Sequence, residues 1–216
     1  MDILKAIQER RSTRGFLDKP VEREILERLL SLAIQAPSAI NLQPWEFTVV
    51  LGEERKRLSR LLLKSMRERN ISCSPGARDP LPEYFTERQK GLLDCMMPGL
   101  PEGVPFQEFI NEGSCDFYGA PTAVIITIDK AFSSARLTDI GIIVGYYVLA
   151  AHGLGLSTCP IGLISAFDND IKELLNIPDE KEVVIGIATG YRDPDAKINK
   201  PRSKRTQLSD VVRWRE

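Results

Sequence analysis

Arg10, Arg11, Ser12, Thr13 and Arg14 place guanidinium forks and two hydroxyls in one short stretch near the beginning of the sequence. Such forks donate paired, charge-assisted hydrogen bonds to a phosphate, and neighbouring hydroxyls complete its oxygen shell. On their own these residues equally suit a solvated basic face at the end of the first helix, where cations meet the carbonyl dipole.

Three further groups of residues bear on this choice. Residues 36–47 (APSAINLQPWEF) form a proline-stiffened loop in which Ser38, Asn41 and Gln43 offer neutral donors and acceptors suited to the polar edge of a heterocycle. The alternative is a structural turn with Trp45 and Phe47 in the core. Cys159, Pro160, Ile161 and Gly162 follow a glycine-bearing helix end, either as a tight turn or as backbone that a planar ligand approaches closely. Lys197, Lys200, Arg202, Lys204 and Arg205 form a basic run without an acid, suited to a phosphate or to a solvated tail.

Other chemistries lack their parts. His152 is the only histidine and sits among Ala150, Ala151 and Leu154, as a core or helix-end residue would, which argues against Ser-His-Asp hydrolysis and multi-histidine metal sites. Cys73, Cys95, Cys115 and Cys159 form no C-x-x-C pair, so no metal site is expected and the thiols read as reduced. Neither G-x-x-x-x-G-K-[ST] nor a supported G-x-G-x-x-G occurs. With 29 Lys plus Arg against 30 Asp plus Glu, the net charge of -1 gives no general attraction to nucleic acid or to an anionic membrane. Anion grips with few proton-transfer groups suit a cofactor that brings its own reactivity.

These residues need a scaffold, and 216 residues suffice for one α/β or α+β domain. Apolar spacing predicts helices on Ile3, Leu4 and Ile7 and on Ile25, Leu26, Leu29, Leu30 and Ala33, then a strand over 47–51 and a helix over 53–69. Strands follow over 122–128 and 182–189, with a helix over 168–175 between them. Residues 71–105 hold six of the fourteen prolines and read as an irregular insertion or lid. The apolar run 140–156 is too short and too interrupted by glycine for a membrane span and is expected to be a core helix, with a second subunit a source of additional cover. The first residues do not resemble a signal peptide, and a cytoplasmic protein is expected.

The motifs R-R-S-x-R, P-S-x-x-N-x-Q-P-W-x-F and a basic final segment, in this order, resemble the nitroreductase family of flavin mononucleotide (FMN)-dependent oxidoreductases across nearly the whole chain. FYGAPTAVIITID at 117–129, LSTCP at 156–160 and GYRDPDAKIN at 190–199 are most similar to its nitrobenzoate reductase-like group. The resemblance implies an α+β fold, a central, mostly antiparallel sheet flanked by helices, in an intertwined homodimer. It implies one domain over 1–216, with a variable lid over about 71–118 and an arm over about 191–216.

By the same resemblance, Arg10 and Ser12 contact the FMN phosphate, Arg11 supports phosphate and ribityl chain, and Arg14 reaches the pyrimidine edge. Arg205, helped by Arg202 or Lys204, completes the phosphate site. Pro37, Ser38, Ala39 and Asn41 line the flavin from the partner subunit, and Pro160, Ile161 and Gly162 cover one flavin face. Two departures stand out: Ala39 replaces a common second serine, and the tail reads R-S-K-R where some members have K-x-R. The implied reaction passes two electrons from NADH or NADPH to a nitroaromatic or quinone by a ping-pong mechanism. The competing readings are a flavin-binding redox sensor without turnover and, on the same fold, a reductive dehalogenase or ene-reductase.

Overall fold

The computed structural model describes residues 2–216 and has an α+β architecture built on one four-stranded sheet. In chain order the elements are α1 (Ile3–Glu9), α2 (Arg23–Ala33), β1 (Trp45–Leu51), α3 (Gly52–Arg69), α4 (Glu83–Met96) and α5 (Phe106–Cys115). They continue with β2 (Thr122–Asp129), α6 (Leu137–Gly153), β3 (Ser157–Ile161), α7 (Asp168–Leu175), β4 (Lys181–Gly190) and α8 (Leu208–Val211). The strand order is β1-β2-β4-β3 and every neighbouring pair is antiparallel.

The TAVIITI run of β2 is almost wholly buried because helices cover both faces of the sheet. Alternation divides the strand: Val124, Ile126 and Ile128 pack with α2 and α6, whereas Ala123 and Ile125 pack with α3, α7 and Phe117. In β4, Ile187 faces the α6 side and Val183 the other, although equal spacing would put both on one side. A bulge resolves this, since Ile126 pairs with Ile185 but Thr127 pairs with Val183, leaving Val184 as the extra residue. Tyr147 on α6 hydrogen-bonds Thr189 on β4 at 3.0 Å, tying the helix to the sheet where both side chains are buried.

Four local expectations change. The Arg10–Arg14 stretch does not belong to the first helix: α1 stops at Glu9, and the chain turns extended, with Arg10 at φ -55° and ψ 136°. Residues 71–105 are not wholly irregular, since the 14-residue helix α4 occupies their middle. Cys159, Pro160 and Ile161 form part of strand β3, so the tight-turn alternative does not hold for them. The basic tail is ordered against the domain by side-chain and backbone hydrogen bonds.

The run 140–156 is a core helix as expected, with Ile143, Tyr147 and Ala151 fully buried against the sheet. Yet Leu137 and Tyr146 on α6 are exposed, as are Ile3, Leu4 and Ile7 on α1.

Leu29 is fully buried where α2 meets α6. Leu29→Ala is expected to cost about 2–5 kcal/mol through lost burial and the cavity left behind. Denaturant unfolding of the ligand-free protein at fixed concentration measures this, and a loss below about 1 kcal/mol would contradict the packing described.

Candidate functional site

The edge strand β3 positions the basic segment. The Thr13 N–H donates to the Thr158 carbonyl at 2.9 Å, and Ser12 pairs with Thr158 as a short parallel bridge. An extended chain sends alternate side chains to opposite sides. Ser12 and Arg14 therefore face one cavity, of about 430 Å³, while Thr13 faces another, of about 310 Å³; Arg10 and Arg11 reach both.

The final arm clamps the segment from its other side. Phe16 bridges to Arg192, the Leu17 N–H donates to the Tyr191 carbonyl at 2.9 Å, and the Asp193 N–H donates to the Gly15 carbonyl at 3.0 Å. Asn199 is the central pin. Its Oδ1 accepts the Arg14 N–H at 2.9 Å, and its Nδ2 donates to the carbonyls of Gly15 at 2.7 Å and Asp193 at 3.1 Å. Gly15 permits this approach, for a Cβ there would lie 2.6 Å from the Ala196 Cβ.

The clamp brings Arg202 and Arg205 to the larger cavity, which is closed on its remaining side by Leu92, Cys95 and Met96 of α4. Its lining contains five arginines, Arg10, Arg11, Arg14, Arg202 and Arg205, and no carboxylate among the described residues. Arg202 donates to the Gln8 carbonyl, and Arg205 donates to Ser203 Oγ at 2.9 Å. Lys204 does not line this cavity; it borders the adjoining cleft of about 980 Å³ between α4 and the arm, together with Tyr84, Arg88, Arg202 and Arg205.

Arg14 stands apart from the other four. Its Nε is buried without a hydrogen-bond partner, and its guanidinium lies 5.7 Å from the centre of the Tyr118 ring. Burial opposes its charge, but Cys159 and Tyr118 beside it outweigh that effect and leave its pKa above the ordinary arginine value. Burial raises the Cys159 thiol despite Arg14 and Ser12 nearby, and therefore favours the neutral thiol. A cluster of cations with an unmatched buried donor fits an anionic ligand that carries hydrogen-bond acceptors.

The remaining anticipated residues lie elsewhere on this chain. Ser38 Oγ accepts the Gln43 N–H at 2.9 Å, and the Ala39 N–H donates to Asp139 at 3.2 Å at the start of α6. Pro37, Ser38, Ala39 and Asn41 do not line the arginine cavity, nor do Pro160, Ile161 and Gly162. His152 is at the last turn of α6 and lines the smaller cavity with Arg10, Arg11, Arg192 and Arg202, its Nε2 buried and unpaired. Asn199 and Tyr118 were not singled out from the sequence. Asn199 closes the GYRDPDAKIN motif and Tyr118 opens the turn before Gly119, but neither residue type announces its partner.

A sheet edge that aims arginines into a cleft without a carboxylate defines a binder of a phosphorylated or similarly anionic cofactor. A family model described as the nitroreductase family matches residues 7–191, and the chain belongs to that family. It is similar to a 4-nitrobenzoate reductase of Pseudomonas putida, at 32% identity over 94% of this chain and 91% of that protein. A chloronitrobenzene nitroreductase of Comamonas testosteroni is also 32% identical, over 95% of this chain and 93% of that protein. The crystal structure of the FMN-dependent nitroreductase NfnB from Mycobacterium smegmatis in complex with NADPH superposes with a TM-score of 0.88, at 26% identity and full coverage of both chains.

Asn199→Ala removes the acceptor from the Arg14 N–H and frees the arm. Stability is expected to fall by about 1–3 kcal/mol, the cost of stranding a partly buried donor. Trypsin cleavage after Arg202, Lys204 and Arg205 is expected to accelerate, and an unchanged cleavage rate would show that Asn199 does not hold the arm.

Proposed function

We propose that this chain is an FMN-dependent oxidoreductase that passes two electrons from NADH or NADPH to a nitroaromatic acceptor. The observation that carries the reading is the five-arginine cavity at the sheet edge, one of whose lining residues, Arg14, has a buried Nε without a partner. Family membership and the similarity to nitrobenzoate and chloronitrobenzene reductases support it. FMN, when bound, would supply the two-electron chemistry between the nicotinamide and an acceptor that uses the same place in turn.

The chain's own residues hold and tune that cofactor. Arg10 and Ser12 project to the same side of the extended segment and, with Arg205 and Arg202 of the arm, hold the phosphate. Arg11 supports phosphate and ribityl chain. Arg14 keeps a fixed cation near the pyrimidine edge, where negative charge collects on reduction, and so favours the reduced form. Pro160, Ile161 and Gly162 carry backbone toward one flavin face.

The same reading makes the protein a homodimer in which Pro37, Ser38, Ala39 and Asn41 serve the partner's site. Ile40 supports this. It is a β-branched residue held at φ 43° and is 91% exposed, between Ala39 and Asn41, itself at φ 59°. A partner would also cover the exposed apolar residues of α1 and α6. The chain is then one domain, in which residues 71–118 form the acceptor-side lid and 191–216 the arm. A cytoplasmic setting suits the four free cysteines and the nicotinamide donors.

Purified protein is expected to be yellow, to bleach on adding NADH or NADPH, and to regain colour with p-nitrobenzoate or a quinone. A protein that takes up no FMN on reconstitution contradicts the cofactor; bound flavin that neither nicotinamide reduces contradicts the enzymatic reading. Arg14→Ala is expected to weaken FMN by about tenfold or more, the worth of a charged hydrogen bond, and to slow flavin reduction. Unchanged affinity and reduction rate would remove Arg14 from its role.

A further inference from the structure

Tyr118 touches neither cavity, yet a costly backbone arrangement presents it. Phe117, Tyr118 and Gly119 are three consecutive residues in the left-handed region, at φ 50°, 53° and 71°. Two adjacent aromatic residues there persist only where the surroundings over-determine them. Those surroundings are visible. Phe117 is fully buried in the core between the sheet and α3, which anchors one side of the turn. Helix α5 is hollowed to receive the next ring: a Cβ on Gly113 would lie 2.4 Å from Tyr118 Cε1 and 2.6 Å from Cδ1. Phe109 packs against the ring at 5.8 Å between centroids, and Ser114 Oγ lies 3.4 Å from the phenolic oxygen.

These contacts seat the Tyr118 ring, and the Arg14 guanidinium lies over that ring, 5.7 Å from its centre. An exposed arginine samples many rotamers, and a guanidinium that must meet one edge of a planar ligand gains from losing them beforehand. We propose that Tyr118, seated by the 117–119 turn and by Gly113, is the positioning residue that fixes the Arg14 guanidinium for its contact with reduced flavin. This rests on the FMN reading above and adds a residue outside the cleft to it. Burial raises the phenol's pKa, which favours the neutral ring under the arginine.

The test reads the midpoint potential of bound FMN in the reconstituted protein, with the thermal midpoint of each variant as the check on folding. Arg14→Ala and Tyr118→Leu are each expected to reduce the preference for reduced over oxidised FMN about tenfold, a fall of about 30 mV for a two-electron couple. Tyr118→Phe keeps the ring and is expected to restore the wild-type potential. Combining Arg14→Ala with Tyr118→Leu is expected to lower the potential no further than Arg14→Ala alone, because one residue acts through the other. Gly113→Ala displaces the ring without altering it and carries the same expectation should Tyr118→Leu fail to fold. A wild-type potential in the folded Tyr118→Leu and Gly113→Ala proteins, or additive losses in the double variant, overturns the proposal. Absence of bound FMN contradicts the parent reading instead, and bound FMN with an unmoved potential in Arg14→Ala removes the role of Arg14 and that of Tyr118 with it.

Discussion

A single backbone pairing, the Thr13 N–H to the Thr158 carbonyl, carries the geometry of the site. It adds residues beyond α1 to the free edge of β3 as an extended segment. In a helix, Ser12 would point away from the face that Arg10 and Arg14 share; in an extended segment all three share a side. The rest of the fold serves that edge. β2 fills the middle of the sheet, helices seal both faces, the Val184 bulge turns Val183 to the face opposite Ile187, and the arm returns across the segment through Asn199.

The second constraint is electrostatic. Five arginines face one cavity in a chain whose net charge is -1, so the positive potential is local. Backbone carbonyls and hydroxyls restrain Arg202 and Arg205 but leave their charge uncompensated. An anion relieves that repulsion, and a phosphorylated cofactor does so while bringing the redox chemistry that this lining does not offer. Arg14 differs in kind, being the arginine with a buried, unmatched donor and an aromatic ring behind it. A division of labour follows, in which the other arginines grip and the arginine held over a ring tunes.

Much of this was legible in the sequence because it rests on pattern. The apolar periods of α2 and α3 and the β-branched run of β2 have one physical interpretation each. Helix α4 was hidden because Pro80, Pro82 and Pro98 flank it closely and suggest irregularity, although none of them interrupts it. The extended form of Arg10–Arg14 was hidden because it depends on a strand almost 150 residues later in the chain. The bulge at Val184 and the left-handed Phe117 and Tyr118 arise from tertiary packing that overrides residue preference, and no local signal marks either. The Pro37–Asn41 and Pro160–Gly162 groups were recognisable as motifs, but a single chain does not bring them to the arginine cavity.

The central claim is that a phosphate grip at the sheet edge dominates cofactor binding. Comparing FMN with riboflavin, which lacks only the phosphate, on the unmodified protein tests it most directly. Two or more charged hydrogen bonds to phosphate predict FMN binding at least about a hundredfold tighter than riboflavin at low salt, with the advantage shrinking as salt is added. Equal affinities for the two flavins at low salt would contradict it.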